Sequence, residues 1–529
     1  MTPTTATTDQ EHSGSTAPAA TLRRGIVPAL ELFSGPEGPM DLPVDVLVVP
    51  TFTGDAGIEV SLGTSVNEQI QVDLWKSLVA VGASGRPDEV LDLPTVDGIA
   101  AHRILAIGLG DADNVTEDSL RAAAGVVSRA LSDTATDAAA DQHSELTALS
   151  LLGPFGVGPV TEGHALGGYR FTTDERSGTR LRILIAASDT DSSNESFAHA
   201  CVVVEAVTCA RDLVNNPANV LYPASYADII ADLGTQAGLD VEILDETDLA
   251  DQGFGALLGV GQGSQRPPRL VRVSYVPDGV DEPRHIALVG KGVTFDTGGI
   301  SLKPAAKMDN MISDMGGSAA VVSAVVAASE LELPVTVTAT VPLAENMPDG
   351  LAVRPGDILR HYGGTTTEVL NTDAEGRLIL GDAIARACED DPDYLLETAT
   401  LTGAQVRALG DRTPAVMGTP SFRDRVAEVS RDTGEGAWPM PLPAEIAKDI
   451  RSDVADLRNT STKGWGGMAA AGHYLAAFVP GSVPWVHVDV AGPAYNTGSA
   501  HGYTPRRATG VPVRTIIAVL EDLAGQESV

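Results

Sequence analysis

The sequence predicts an α/β fold in two unequal parts, a small N-terminal α/β domain and a larger C-terminal one. Three observations carry that expectation. The chain has 529 residues, more than one hydrophobic core ordinarily organises. Hydrophobic residues make up 43% of it, the share of a folded globular protein. Short apolar runs alternate with helical small-residue segments along most of the length, as strands feeding helices do. The expected boundaries are a disordered tail over 1–25, an N-terminal domain over 26–190, a linker helix over 191–212 and the second domain over 213–529.

In the first domain the runs VDVLVVP (44–50), HRILAIGLG (102–110), ALSLLGPFG (148–156) and RLRILIAAS (180–188) read as buried strands, bounded by Gly, Pro or Asp. The stretch ALSDTATDAAADQHSE (130–145) reads as a surface insertion. GLGDAD (108–113) lacks the third glycine of a dinucleotide-binding loop. Residues 191–215 carry small and apolar residues at helical spacing and stop at Asn216-Pro217, so a helix bridges the two domains. In the second domain HIALVGKGV (285–293), VTVTATVPL (335–343), YLLETATLT (394–402) and WVHVDVAG (485–492) read as central strands. GGSAAVVSAVVAASEL (316–331) and EGRLILGDAIARACE (375–389) read as helices packed on them. Ligands of open parallel sheets bind beyond the carboxyl ends of the strands. Polar and glycine-rich signals gather there: Lys291 and Gly292, Glu345 and Asn346, Thr400 to Gly403, Asp489 to Gly492.

Composition narrows the function. A formal net charge of −36 repels phosphate backbones and anionic lipid, which argues against nucleic acid and membrane as partners. No apolar run reaches the length of a membrane span. The first 25 residues lack a charged segment followed by an apolar one, so they are not read as a secretory signal. Cys201, Cys209 and Cys388 form no CxxC pair, and buried thiols in a reducing compartment are expected. Together these features predict a cytoplasmic protein. Of the 35 basic residues only six are lysine, and three of those, Lys291, Lys303 and Lys307, fall within seventeen positions beside aspartates. Lysine can lose its proton where its surroundings demand it, whereas arginine cannot.

Two segments concentrate the chemistry. VGKGVTFDTGGISLKPAAKMDNMISDMGG (289–317) places Lys291, Asp296, Lys303, Asp309 and Asp314 in a glycine-rich loop after a strand. NTDAEGRL (371–378) places Asp373, Glu375 and Arg377 where the strand TTTEVLN turns into a helix. A DxE pair at a helix start is ordinarily a cap, and a Lys near an Asp is ordinarily a solvated pair. Jointly, four carboxylates in the two densest polar segments of an apolar domain would repel one another, and two divalent cations would remove that cost. Neither segment holds a histidine and no HExxH occurs, so the donors are oxygen-rich and suit Mn²⁺, Mg²⁺ or Zn²⁺. Arg377 lies in the first helical turn, where it could hold a carboxylate-like ion by paired hydrogen bonds. A salt bridge to a neighbouring acid is the alternative, and the sequence leaves both open.

KGVTFDTGGISLKP and NTDAEGRL resemble the two signatures of the leucyl aminopeptidase family, also called cytosol aminopeptidases or peptidase family M17. The resemblance continues through ATLTGA (399–404) and HVDVAG (487–492) and weakens over 26–190. It implies a macro-like N-terminal sheet flanked by helices and a catalytic domain with a mixed central sheet. It implies a hydrolase, a metallo-exopeptidase that removes N-terminal residues, leucine and other apolar ones by preference, from peptides with a free N-terminus. Two divalent ions per subunit, Mn²⁺ or Zn²⁺, would be held by five side chains. Asp296 and Glu375 would bridge them, Asp373 would complete the tighter site, and Lys291, as a neutral amine, with Asp314 would complete the looser one. Lys303 would polarise the scissile carbonyl, and Arg377 would hold a bicarbonate acting as general base. Met311, Thr400, Gly403, Ala491 and Ala494 would line the first specificity pocket, and the Leu401 carbonyl would accept a hydrogen bond from substrate. The resemblance also implies a homohexamer.

Two rival readings differ in class. A two-metal phosphoesterase would share the carboxylates, but the Asp/His/Asn-rich motifs usual there are missing and a lysine ligand is unusual. A non-catalytic DNA-binding regulator is the other, since some family members bind DNA, and the net charge of −36 argues against it.

Overall fold

Two large sheets organise the chain, each assembled from the apolar runs. The computed structural model describes residues 22–35, 38–55, 57–62, 66–138, 145–172 and 180–525, so most of the expected tail over 1–25 lies outside the described residues. The first sheet has seven strands: β1 (Ala29–Phe33), β2 (Val46–Gly54), β3 (Gly57–Val60), β4 (Val90–Pro94), β5 (Arg103–Gly108), β6 (Glu145–Ser150) and β7 (Arg180–Ala186). Their order is β1-β7-β6-β2-β5-β4, with β3 on β2; β3 and β4 pair antiparallel and the other pairings are parallel.

Both faces of this sheet are covered. Val46, Val48, Leu105 and Ile107 pack with Leu120, Val127 and Leu131 of the helix Glu117–Ala138. Leu47, Val49 and Ile104 pack with Leu74 and Leu78 of the helix Glu68–Ala80. Burial on two sides is why the strand sequences are continuously apolar rather than alternating.

Two expectations need correction here. The run 148–156 is strand only to Ser150; the strand begins at Glu145, and Gly153–Phe155 forms a short 3-10 turn, where Pro154 has no N–H for a ladder. The stretch 130–145 is not a plain insertion: the helix Glu117–Ala138 continues into it, residues 139–144 lie outside the described residues, and Glu145 already belongs to β6. Leu131 is fully buried four positions after buried Val127, and that helical spacing extends the helix.

The helix Asp191–Asn215, whose start is capped by the Thr190 side chain, packs against the helix Val157–Gly168 on one side and Gly316–Glu330 on the other. Its fully buried Arg211 donates to the carbonyls of Leu166, Tyr503 and Thr509, tying the two halves of the chain together.

The second sheet has nine strands: β8 (Asp240–Leu244), β9 (Arg269–Tyr275), β10 (His285–Gly290), β11 (Gly292–Asp296), β12 (Thr336–Asn346), β15 (Tyr394–Ala399), β16 (Ala415–Gly418), β17 (Trp438–Pro439) and β19 (Trp485–Asp489). A small third sheet joins β13 (Ile358–Arg360), β14 (Thr366–Glu368) and β18 (Leu457–Arg458). The large sheet runs β17-β16-β19-β15-β10-β12-β9-β8, with β11 on β12. Its centre, β19, β15, β10 and β12, is parallel; β16 and β9 pair antiparallel with that centre, so the sheet is mixed.

Alternate residues of the central strands face opposite cores. Ile286, Leu288, Val337 and Val488 meet the helix Gly316–Glu330, whereas Ala287, Val289, Leu395 and Ala399 meet the helix Gly376–Cys388. Contrary to the expectation that no apolar run reaches the length of a membrane span, the segment Met308–Glu330 is apolar and long enough to cross a bilayer, but 83% of its apolar window is buried inside the molecule, which marks a core helix.

Parallel direction has one consequence for function. The carboxyl ends of β10, β12, β15 and β19 share one edge, which brings Lys291, Asn346, Thr400 and Asp489 to the same end of the sheet.

Candidate metal centre

Residues 294–296, expected in a loop, belong with Gly292 and Val293 to the short strand β11, which pairs with the end of β12 and sets Asp296 opposite Asn346. That pairing orients the carboxylate: Asp296 Oδ1 accepts from Asn346 Nδ2 at 2.8 Å and from the Gly298 amide at 2.8 Å. Gly298 and Gly299 then take positive φ angles of 87° and 64°, and the chain doubles back to Lys303. A Cβ on Gly298 would lie 2.8 Å from Asp373 Oδ1, so this turn is also where the two polar segments touch. Thr372 sews them together: its hydroxyl accepts from the Ser301 amide at 2.8 Å and donates to the Gly298 carbonyl.

Six side chains from these segments converge. Oxygens of Asp296, Asp314 and Glu375, all buried, lie within 4.8 Å of one another. Lys291 Nζ, with its side chain 3% exposed, is 2.7 Å from Asp314 Oδ1 and 2.9 Å from Glu375 Oε1, and donates to the Thr400 carbonyl at 3.2 Å. Lys303 Nζ is 2.7 Å from Asp296 Oδ2 and pairs closely with Asp373 Oδ1. Each ammonium therefore sits between two carboxylates. Lys307 and Asp309 of the first segment are exposed, outside this cage.

The electrostatics follow from four acids sharing two bases. Burial raises the carboxyls of Asp314, Asp296 and Asp373 above their ordinary range. For Glu375 burial acts the same way, but the Lys291 and Lys303 cations outweigh it and its pKa falls. Burial would lower both lysines, and the surrounding carboxylates more than reverse that, so both are held as ammonium.

Four acids, three of them buried and Asp373 half-buried, balanced by two cations leave a deficit of positive charge. Asp314 Oδ2 and Glu375 Oε2 are buried with no hydrogen-bond partner among the described residues. Unsatisfied carboxylate oxygens in a cluster that holds no cysteine among the described residues fit divalent metal with oxygen preference. Ligation through Lys291 Nζ requires its proton to leave first.

Arg377 lies in the first turn of the helix whose N-cap is Glu375. It is buried, its Nη1 donates to the Asn459 carbonyl at 2.9 Å, and no carboxylate among the described residues pairs with it within 4.0 Å. Its Nε has no partner among the described residues, so the guanidinium retains capacity for an anion.

The expected pocket residues surround this cage unevenly. Thr400 is buried and donates to Asp314 Oδ1 at 2.8 Å. A Cβ on Gly316 would lie 3.3 Å from Ala494 Cβ and 3.7 Å from Thr400 Cγ2, so these two share a wall with the first turn of the Gly316–Glu330 helix. Met311 lies in the 3-10 turn before Asp314, half-buried. Leu401 and Ala491 are half-buried on the loops after β15 and β19, and Gly403 is exposed at the start of the next helix.

Sequence reasoning missed several supports. Asn346 stood among the polar residues at strand ends, and Thr372 lies inside the second segment, so both carried a signal. Asn459 carried none: it stands 82 positions from Arg377, yet its carbonyl holds the guanidinium and its side chain accepts from the Leu370 amide at 2.8 Å.

Known proteins resemble this chain over nearly its whole length. The family model described as the cytosol aminopeptidase family, catalytic domain, matches residues 208–517, and that described as the family's N-terminal domain matches 48–173. A probable cytosol aminopeptidase of Corynebacterium diphtheriae is 53% identical over 488 residues, covering 91% of this chain and 95% of that protein. One of Rhodococcus opacus is 52% identical over 492 residues, with the same coverage of 91% and 95%. Among solved structures, the bottromycin maturation enzyme BotP in complex with Mn is 37% identical with a TM-score of 0.79, covering 91% of this chain and 100% of that one. A variant of tomato leucine aminopeptidase is 26% identical with a TM-score of 0.81, covering 95% and 99%.

Proposed function

The chain belongs to the cytosol aminopeptidase family and is a metal-dependent aminopeptidase, and from that premise we propose that it releases leucine and other apolar residues from peptide N-termini by hydrolysis assisted by two divalent cations. The observation that carries the two-cation reading is the paired arrangement of charge: Lys291 between Asp314 and Glu375, Lys303 between Asp296 and Asp373. One four-carboxylate cage thus has two positions where positive charge is stabilised.

Lys291, Asp296, Asp314, Asp373 and Glu375 would hold the cations, with Asp296 and Glu375 shared between them. Mn²⁺ and Zn²⁺ both suit this donor set. Bound there, the ions would supply Lewis acidity and bring the pKa of a water near neutrality. Lys303, the more exposed of the two lysines, would turn its ammonium to the scissile carbonyl and stabilise the oxyanion. Arg377, with buried donor capacity to spare, would hold a bicarbonate that takes the proton of the attacking water. Met311, Thr400, Gly403, Ala491 and Ala494 offer a small-residue and apolar lining for a leucine side chain, and the Leu401 carbonyl would accept from the substrate backbone. We place the enzyme in the cytoplasm as a homohexamer, which light scattering tests against the 54.6 kDa chain mass.

The deciding experiment is hydrolysis of leucine p-nitroanilide with Mn²⁺ or Zn²⁺, for wild type and Lys303→Ala. EDTA-sensitive turnover is expected, with kcat lower by about 10²–10³ in the variant, the loss typical of removing one oxyanion donor. Equal rates in the two proteins remove the role given to Lys303. Phosphodiester hydrolysis without anilide hydrolysis removes the peptidase reading.

A further inference from the structure

Beneath the loop that follows β15 lies a row of buried polar side chains that the reaction above does not use. Glu397 on β15 and His487 on β19 stand opposite one another in register, both fully buried. His487 Nδ1 shares a hydrogen bond with Glu397 Oε2, and its Nε2, which has no hydrogen-bond partner among the described residues, faces Oδ2 of Asp489, the last residue of β19, at an ion-pair distance of 4.0 Å. Ionisable groups inside a sheet are weak contributors to stability, and apolar residues of similar size often serve a fold as well. Their presence asks for a reason other than stability.

The far end of the row supplies one. Asp489 Oδ1 accepts from the backbone amides of Leu401 at 3.2 Å, Thr402 at 3.4 Å and Ala491 at 3.2 Å. Its Oδ2 accepts from Thr402 Oγ1 at 2.7 Å. A single carboxylate therefore joins the two strand-end loops that carry Leu401 and Ala491. Next along the chain, the Thr400 carbonyl accepts from Lys291 and the Thr400 hydroxyl donates to Asp314, so the same loop reaches the cage.

We propose that Glu397 and His487 are positioning residues: by holding Asp489 in one orientation, they set the placement of the Leu401 and Ala491 backbone and so the size of side chain that the first pocket accepts. This rests on the functional reading above. Glu397 locks the imidazole with Nδ1 toward itself and Nε2 toward Asp489. At 4.0 Å the Nε2 edge makes no hydrogen bond, so it acts on Asp489 by charge, as an imidazolium between the Glu397 and Asp489 carboxylates; without that charge Oδ2 loses its attraction to the row, its carboxylate can rotate, and the amides bound to Oδ1 move with it.

The test measures turnover of leucine and alanine anilides with Mn²⁺, and counts bound metal, for wild type and four variants. His487→Gln and Thr402→Val break the row at its middle and at its loop end. Glu397→Gln keeps an acceptor for Nδ1–H, and Thr402→Ser keeps the hydroxyl. The first two are expected to lose on the order of 10- to 100-fold in kcat/KM for the leucine substrate, as for a misplaced contact. The loss should lie chiefly in KM, be much smaller for alanine, and leave metal content intact. The two conservative variants should stay near wild type. An unchanged leucine-to-alanine ratio in an otherwise active set overturns the inference, as does a loss that follows metal content. The Thr402 pair answers the question from the loop side even if His487→Gln does not fold. A wild type inactive on both anilides overturns the functional reading, and the inference with it.

Discussion

Gly376→Ala separates the site from the fold. Gly376 opens the helix Gly376–Cys388 and is buried, and its φ is not positive, so the backbone tolerates alanine. Alanine is the better helix former by about 1 kcal/mol. The side chain is what cannot be accommodated: a Cβ there would lie 2.5 Å from Lys291 Cε, 2.7 Å from Nζ and 2.9 Å from Cδ. Carbon contacts relax near about 3.5 Å, so the lysine tip must move by about 1 Å. It has no route to solvent, being 3% exposed and held by Asp314, Glu375 and the Thr400 carbonyl. Crowding a packed interior costs about 1–3 kcal/mol and the helix gain offsets about 1, which leaves a net stability loss of about 0–2 kcal/mol. Displacing a catalytic constellation by about 1 Å costs on the order of 100-fold in rate. Leucine anilide turnover at saturating Mn²⁺, bound metal by plasma mass spectrometry and the urea midpoint measure the three quantities. The expected pattern is a large fall in turnover, weakened metal retention and a midpoint close to wild type. A Gly376→Ala protein with wild-type rate and metal content would refute the reasoning, because Lys291 would then have somewhere else to go.

Three further outcomes follow from the same geometry. Asn346→Ala removes the amide that orients Asp296 and should weaken Mn²⁺ binding by about 10- to 100-fold, as loss of a ligand's hydrogen-bonding support commonly does; an unchanged calorimetric Kd contradicts this. Arg377→Lys keeps the charge but not the paired donors, so kcat should fall with little change in KM, and added bicarbonate should no longer raise the rate in degassed buffer; persistent stimulation argues against Arg377 as the holder. Stripping metal with EDTA should leave far-UV circular dichroism unchanged, because Lys291 and Lys303 already neutralise part of the cage, and Mn²⁺ should restore activity. Ion at 100 times its Kd should then add about 2.7 kcal/mol of stability; collapse of the dichroism on chelation contradicts the charge argument.

Local sequence encodes the class of fold and the chemical identity of the cage. Strands buried on both faces must be continuously apolar, so β2, β5, β7, β10, β12, β15 and β19 each fall within or overlap a run whose composition alone marks it as a strand. The chemistry of the cage is legible because its donors sit in two contiguous segments, where Lys, Asp and Gly stand out against an apolar background. Local chemistry also misleads. The run 148–156 is apolar throughout but turns after Ser150, and the polar stretch after Ala130 continues a helix because Leu131 is buried.

Tertiary packing, by contrast, chooses which distant residues complete the site. Strand order, the placement of β11 beside β12, the carbonyl of Asn459 on Arg377, and the row from Glu397 through His487 to Asp489 join positions about 50 to 90 apart in sequence. No local pattern encodes them. A hydrogen bond between residues on separate elements depends on how those elements pack, and packing answers to the whole core at once rather than to the neighbours of either partner.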